Sequence, residues 1–187
     1  TRSPTNENNT MYTLYYIPNA CSLATQVVLN ELDQPVEIIN AQQVDDFKAI
    51  NPVGTVPVLM DNDKTLREGA AVILYLLDKH QSTMSPIYSA NREQTIQDIM
   101  FANATLHPAY SSLFFIAKNI TDEKIKQSAF EAAAHNITSL WQVVEQQLLN
   151  QKFLGGDQPS AADIMLTVFS RWEASFPVDI QIGTNTQ

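Results

Sequence analysis

The stretch 51-NPVGTVPVLMDNDKTLREG-69 decides the fold. Its apolar run 56–60 reads as a short strand, and 65–67 reads as a brief returning strand. The Asp- and Asn-rich residues 61–64 between them have the chemistry of a hairpin turn. A strongly apolar helix follows over 70–79. Upstream, 11-MYTLYYI-17 is aromatic and β-branched without a breaker, the composition of a buried strand, and Pro18 ends it. Leu23, Val27, Val28 and Leu32 recur at helical spacing over 20–32, with Pro35 behind them as a stop signal. The β-branched run 36–39 is the second, parallel strand. Residues 44–50, VDDFKAI, give at most a short helix, because Asn51 precedes a proline and is pushed out of the helical region. The order βαβ then ββα is the thioredoxin-like arrangement.

Downstream, 81-QSTMSPIYS-89 has linker composition, and everything past it reads as helix. One long pattern over 93–120 meets Pro108, which should kink or divide it. Thr121-Asp122-Glu123 opens a second helix, running to about residue 150, with an N-cap residue and acids in the first turn. Gly155-Gly156 breaks the chain. Ser160-Ala161-Ala162-Asp163 then has the form of a capping box, with a folding role, opening a helix through Trp172. Residues 174–187 show no clear pattern. The fold class is therefore an α/β thioredoxin-like N-terminal domain over 11–80, a linker over 81–89 and an all-α C-terminal domain over 90–187. Residues 1–10, TRSPTNENNT, are polar, precede Met11 and read as a flexible extension without function.

Composition narrows the partners. Of 187 residues 44% are hydrophobic and 17% charged, the mix of an ordinary globular protein. A net charge of -9 works against nucleic acid, which is held mainly by Lys and Arg contacts to phosphate. No apolar run reaches the length of a membrane span. One cysteine cannot form an intrachain disulfide, and the N-terminus lacks the apolar core of a secretory signal, which favours a reducing, cytoplasmic setting.

Four places carry candidate chemistry. Cys21 sits just inside the first predicted helix, where unpaired N–H groups and the positive dipole end favour a thiolate; the ordinary reading of a lone cysteine is an inert buried side chain. Val56-Pro57 opens a strand, where proline is tolerated for want of its N–H; the functional alternative is a cis bond turning the Val56 backbone outward to pair with a bound peptide. Glu68-Gly69 precedes the helix over 70–79. Glu there usually complements the dipole, yet bare N–H groups beside a carboxylate also suit an α-amino-acid head group, and Gly69 permits close approach. His107, before Pro108, has no second ligand at metal spacing, so no metal is expected. A P-loop, G-x-G-x-x-G, G-x-S-x-G and Cys-x-x-Cys are all absent from the sequence.

Taken in order, YYIPNACSLA, NPVGTVPVL, REGAAVILYL and FLGGDQPSAADIML closely resemble a bacterial glutathione transferase of the cysteine-containing, beta-type class, from Met11 to about Trp172. The resemblance implies a thioredoxin-like domain followed by a helical one. It implies that Val56, before a cis Pro57, pairs its backbone with the cysteinyl part of glutathione, and that Glu68 and Gly69 hold the γ-glutamyl head. Gly69 stands where many members have serine, so a hydroxyl contact is lost. The resemblance puts Cys21 opposite the glutathione sulfur, able to form a mixed disulfide, and His107 along the same site. Met100 stands where the family has asparagine, Asn103 being the substitute. A lysine common before the NP motif is unmatched, with Gln42 and Gln43 the nearest polar residues. Family members usually continue past the region matching 176–187; if an end is missing, apolar surface of the helical core should be exposed.

The expected function is that of a homodimeric, cytoplasmic glutathione transferase. It would add the glutathione thiolate, stabilised by the first helix and by Cys21 or Ser22, to small hydrophobic electrophiles lined by Phe114, Met100 and Tyr110. One alternative is a glutathione-dependent thiol-disulfide reductase using Cys21 in a mixed disulfide. The other is a non-catalytic binding or regulatory protein on the same scaffold. The identity of the electrophile is not written in the sequence.

Overall fold

The computed structural model describes residues 11–187, so the reading of residues 1–10 as an extension lies outside the described residues. Strands β1 (Tyr12–Tyr16), β2 (Val36–Asn40), β3 (Val58–Asp61) and β4 (Lys64–Arg67) form one sheet in the order β2-β1-β3-β4. β1 pairs parallel with β2, whereas β1 with β3 and β3 with β4 run antiparallel. This is the expected thioredoxin-like order. The inner strands bury Leu14, Val58 and Leu59 completely, while the edge strand β2 leaves Glu37 and Ile38 exposed. The β3–β4 hairpin closes on Asn62 at φ 55°, a left-handed position that asparagine tolerates better than most residues.

Helix α1 (Ser22–Glu31) follows β1, α2 (Phe47–Ile50) is a single turn, and α3 (Gly69–Lys79) follows β4. The buried side of α1 is not the predicted one. It is formed by Ser22, Ala24, Thr25, Val28 and Leu29, with Leu23 and Val27 half-buried. Small residues allow close packing, and burial of the Ser22 hydroxyl is offset by its bonds to Ile17 described below.

The chain divides into two compact units between Val72 and Ile73, inside α3. In the second unit, α4 (Arg92–Met100) and α5 (His107–Asn119) are joined by a π-helical segment, Phe101–Leu106. The sequence predicts a kink or a division at Pro108. The run is divided there into α4 and α5, and the wider π turn between them accommodates a residue that lacks an N–H and would clash with the carbonyl one turn back. The segment over 81–89 is ordered by turns in which Met84 N and Ile87 N donate to the Ser82 and Ser85 hydroxyls. The Ser85 hydroxyl in turn donates to Asp78.

Asp122 caps α6 (Glu123–Gln147) by accepting from Lys124 N and Ile125 N, each at 3.0 Å. The capping box at α7 (Ala161–Ser170) forms as read from the sequence. Asp163 also accepts from Leu154 N at 3.0 Å and Gly155 N at 3.4 Å, tying the preceding loop to the helix start. A 3-10 turn, Arg171–Ser175, ends the helix earlier than the predicted Trp172. The patternless segment beyond it is held by side chains rather than by a ladder. The Glu145 carboxylate accepts from Asn185 N, Asn185 Nδ2, Thr186 N and Thr186 Oγ1 at 2.7–3.0 Å.

The second unit is built around aromatic rings. The Trp172 ring lies edge-on to His107, Tyr110 and Phe114 and stacks on Phe169 at 5.0 Å. Tyr110 and Trp141 are both buried, and Trp141 Nε1 donates to the Tyr110 hydroxyl at 2.8 Å. Tyr110→Phe should leave that buried N–H unpaired and destabilise by about 1–3 kcal/mol. Urea unfolding should show the loss, and an unchanged midpoint would mean that the bond contributes nothing net.

Candidate active site

Asn51 organises the loop between α2 and β3. Its side chain is 2% exposed; Nδ2 donates to the Thr55 carbonyl at 2.7 Å, and Oδ1 accepts from Val53 N at 3.2 Å. Gly54 N returns to the Asn51 carbonyl at 2.8 Å, and Gly54 takes φ 81°, where only glycine is unstrained. Arg67 closes the loop from outside, with Nε and Nη2 donating to the Ile50 carbonyl at 3.2 and 2.7 Å. Sequence reading passed over both residues. The available signal was Asn directly before Pro in a turn, since an Asn side chain commonly bonds the backbone two residues on.

This loop delivers Val56 and Pro57, joined by a cis peptide bond. Val56 lies two residues outside β3, beyond the last paired position of the ladder, and its carbonyl accepts from the Cys21 thiol, with Sγ at 3.3 Å. Cys21 occupies the N-cap position of α1, immediately before the helix rather than just inside it as expected. Of the two readings of its chemistry, the structure favours the ordinary one of a buried thiol over a thiolate held by the helix start. Burial pushes the thiol up from 9.0 to about 11; backbone N–H groups at the helix start pull it down by less, and the Glu68 charge adds to the rise. Desolvation of the charged form outweighs the helix terminus, so Cys21 is a protonated donor near neutrality.

Ser22, the other proposed thiolate partner, is fully buried. Its hydroxyl donates to the Ile17 carbonyl at 3.5 Å and accepts from Ile17 N at 3.4 Å, so it locks the end of β1 to α1. Glu68 stands at φ 69°, a strained position for a residue with a side chain, and its carbonyl accepts from Val72 N in the first turn of α3. Gly69 begins that helix. Cys21, Val56, Pro57, Glu68 and Gly69 thus all belong to the first unit.

His107 and Asn103 belong to the second. The His107 ring packs edge-on against Phe169 and Trp172, and burial lowers its pKa, which keeps the imidazole neutral. Asn103 lies half-buried in the π-helical segment. Of the apolar residues proposed as a substrate wall, Phe114 and Met100 are exposed. Tyr110 is not: it is fully buried, its hydroxyl accepts from Trp141, and burial pushes its pKa to about 12. Tyr110 is therefore a core residue. Among the described residues no group of three or more His, Cys, Asp or Glu could hold a metal, and no helix is long and apolar enough to cross a membrane.

A thioredoxin-like sheet with a cis-proline loop beside a cysteine at a helix start, followed by a helical unit, is an architecture shared by proteins of many functions. Comparison with known proteins narrows it. Residues 23–84 match the glutathione S-transferase N-terminal domain and residues 102–185 the C-terminal domain. Glutathione S-transferase GST-4.5 of Xanthomonas campestris is 31% identical, over 89% of this chain and 85% of its own. A glutathione S-transferase structure from Xylella fastidiosa superposes with a TM-score of 0.79 at 28% identity, covering 91% of this chain and 86% of that one. A Burkholderia graminis glutathione transferase, solved with two glutathione molecules per subunit, gives 0.76 at 26% identity over 89% and 76%. The chain belongs to the glutathione S-transferase family.

Asn51→Ala removes the brace of the Val56 loop and should destabilise by about 1 kcal/mol, since the Thr55 carbonyl and the Val53 N–H both lose their partner. Thermal unfolding would register this, and a neutral effect would show that the loop holds without it. The raised Cys21 pKa gives a second expectation. Alkylation by iodoacetamide, which needs the thiolate, should be slow at pH 7, rise roughly tenfold per pH unit and level off only near pH 11. A plateau below pH 8 would contradict the burial effect.

Proposed function

We propose that this chain binds glutathione in its first unit and conjugates its sulfur to small apolar electrophiles, as a beta-type transferase. The observation that carries the reading is the Cys21 thiol at 3.3 Å from the Val56 carbonyl, together with the burial that keeps the thiol protonated. The cysteinyl backbone of glutathione would pair with Val56. Its γ-glutamyl ammonium would face Glu68 and its carboxylate the N–H groups that open α3.

Conjugation requires a glutathione thiolate and a donor to stabilise it; a protonated Cys21 supplies such a donor when its single S–H turns from the Val56 carbonyl to the ligand sulfur, leaving that carbonyl to the ligand backbone, whereas a reactive thiolate at that position would repel the incoming charge. The glutathione thiol releases its proton to solvent. The thiolate pair then forms the carbon–sulfur bond as the electrophile expels an anion or takes up a proton. In the second unit the resemblance alone makes the neutral His107 and Asn103 candidates for ligand contact, and Phe114 and Met100 are its exposed apolar side chains. A homodimer in the cytoplasm completes the reading. A thiol held near 11 argues against the reductase alternative, which requires Cys21 to attack as thiolate.

Conjugation of glutathione to 1-chloro-2,4-dinitrobenzene by wild type, Cys21→Ala and Cys21→Ser tests this. Loss of one hydrogen bond to a charged sulfur should lower kcat/KM in Cys21→Ala by roughly ten- to a hundredfold, with most of it retained in Cys21→Ser. An unchanged Cys21→Ala would remove the cysteine from the mechanism. Intact mass after incubation with oxidised glutathione should show no adduct, and a Cys21 adduct would shift the assignment to disulfide reduction. A folded protein that is not retained on immobilised glutathione would leave only the non-catalytic reading.

A further inference from the structure

Arg67 is exposed, lies on a short edge strand and is not among the groups assigned to ligand contact. Three connections nevertheless converge on it. Its backbone pairs with Val58, the first residue of β3 and two residues past Val56. Its Nε and Nη2 both donate to the Ile50 carbonyl, at the end of α2 and next to Asn51. Its peptide bond leads directly into Glu68. The chain from Ile50 to Val58 is thereby closed into a ring by one side chain, with Val56 on the ring and Glu68 attached to the closing residue. Inside the ring, Asn51 fixes Thr55, the residue before Val56.

We propose that Arg67 is a positioning residue that sets the spacing between the two halves of the peptide site, Val56 and Glu68, and so selects a γ-linked glutamyl head over an α-linked one. The inference rests on the glutathione reading above. In a γ-linked glutamyl group two methylenes separate the amide carbonyl from the carbon bearing the ammonium; in an α-linked group none does. A ligand seated on the Val56 backbone therefore reaches Glu68 with its ammonium at only one of these lengths, provided that the two anchors stay at a fixed distance. An unbraced loop would give way and accept either. Specificity of this kind depends on rigidity of the frame rather than on a contact made by the arginine itself.

Calorimetric titration with S-methylglutathione and with its α-glutamyl isomer, neither of which carries a free thiol, separates the outcomes. Wild type should prefer the γ-linked ligand by at least ~tenfold, as a site with one misplaced charged pair would. Arg67→Gln should bind that ligand at least ~fivefold more weakly and lose most of the preference, while Arg67→Lys, keeping one donor for the Ile50 carbonyl, should fall between. If Arg67→Gln does not fold, the Arg67→Lys ratio decides. A preference unchanged in the variants, or a parallel weakening of both isomers, overturns the proposal, because a merely structural arginine would move the melting temperature and not the ratio. Failure of wild type to bind S-methylglutathione overturns the glutathione reading itself, and this inference with it.

Discussion

The buried amide of Asn51 is the contact on which the candidate site most depends. Seven residues, 51–57, connect α2 to β3 without secondary structure of their own. Ordering each backbone unit costs about 1–2 kcal/mol, and each internal hydrogen bond returns about 0.5–1.5. The Asn51 bonds alone therefore cannot hold the loop. It is held because both ends are already fixed, at Phe47, whose carbonyl accepts from Asn51 N, and at the β3 ladder. The side chain then removes what freedom remains. Thus the sheet creates the conditions in which a single amide can fix the loop that carries the Val56 carbonyl to the Cys21 thiol.

The state of Cys21 turns on two opposing effects whose sizes decide the chemistry. A helix start favours a charge by typically 0.3–1 kcal/mol when exposed. A rise in pKa from 9.0 to about 11 corresponds to ~3 kcal/mol in favour of the thiol, net of the backbone hydrogen bonds that oppose it. Position in the sequence revealed the first effect and could not reveal the second, because desolvation depends on how closely the surrounding chain packs over the sulfur. The family assignment does not depend on this balance, and a protonated Cys21 favours the proposed role as a hydrogen-bond donor to the glutathione sulfur over the alternative of an attacking thiolate.

The same division between local and non-local information runs through the fold. Strand and helix order was legible, since it follows from periodicity and breakers within a few residues, and so was the capping box at Ser160 and Asp163. The buried side of α1 was not, because Ser22 and Thr25 count as polar in any pattern, yet here they are the small residues that pack closely. Nor was the destination of Tyr110: it read as one of the apolar side chains of a substrate wall, but its ring is buried and its hydroxyl is taken by Trp141, 31 positions away. At Pro108 the sequence identified the obstacle, while the neighbouring turn's capacity to widen decided the outcome. Cys21, Val56, Glu68 and Gly69 fall within one unit, as the motif order implies, but the strut from Arg67 to Ile50 spans 17 positions and no motif announces it.

Glu68 shows why such a site is not optimised for stability. A non-glycine residue at φ 69° costs of the order of 1–3 kcal/mol, and a glycine there would be almost free of strain. Glycine does occur, one position later, where the helix begins. Holding a carboxylate in the strained place therefore points to a use for its charge. One consequence is already present in the free protein, where Glu68 helps to keep the Cys21 thiol protonated. In the proposed complex a ligand ammonium beside Glu68 would cancel much of that field. Head-group binding and the ionisation of Cys21 are then linked, so what occupies one half of the site bears on the proton held in the other.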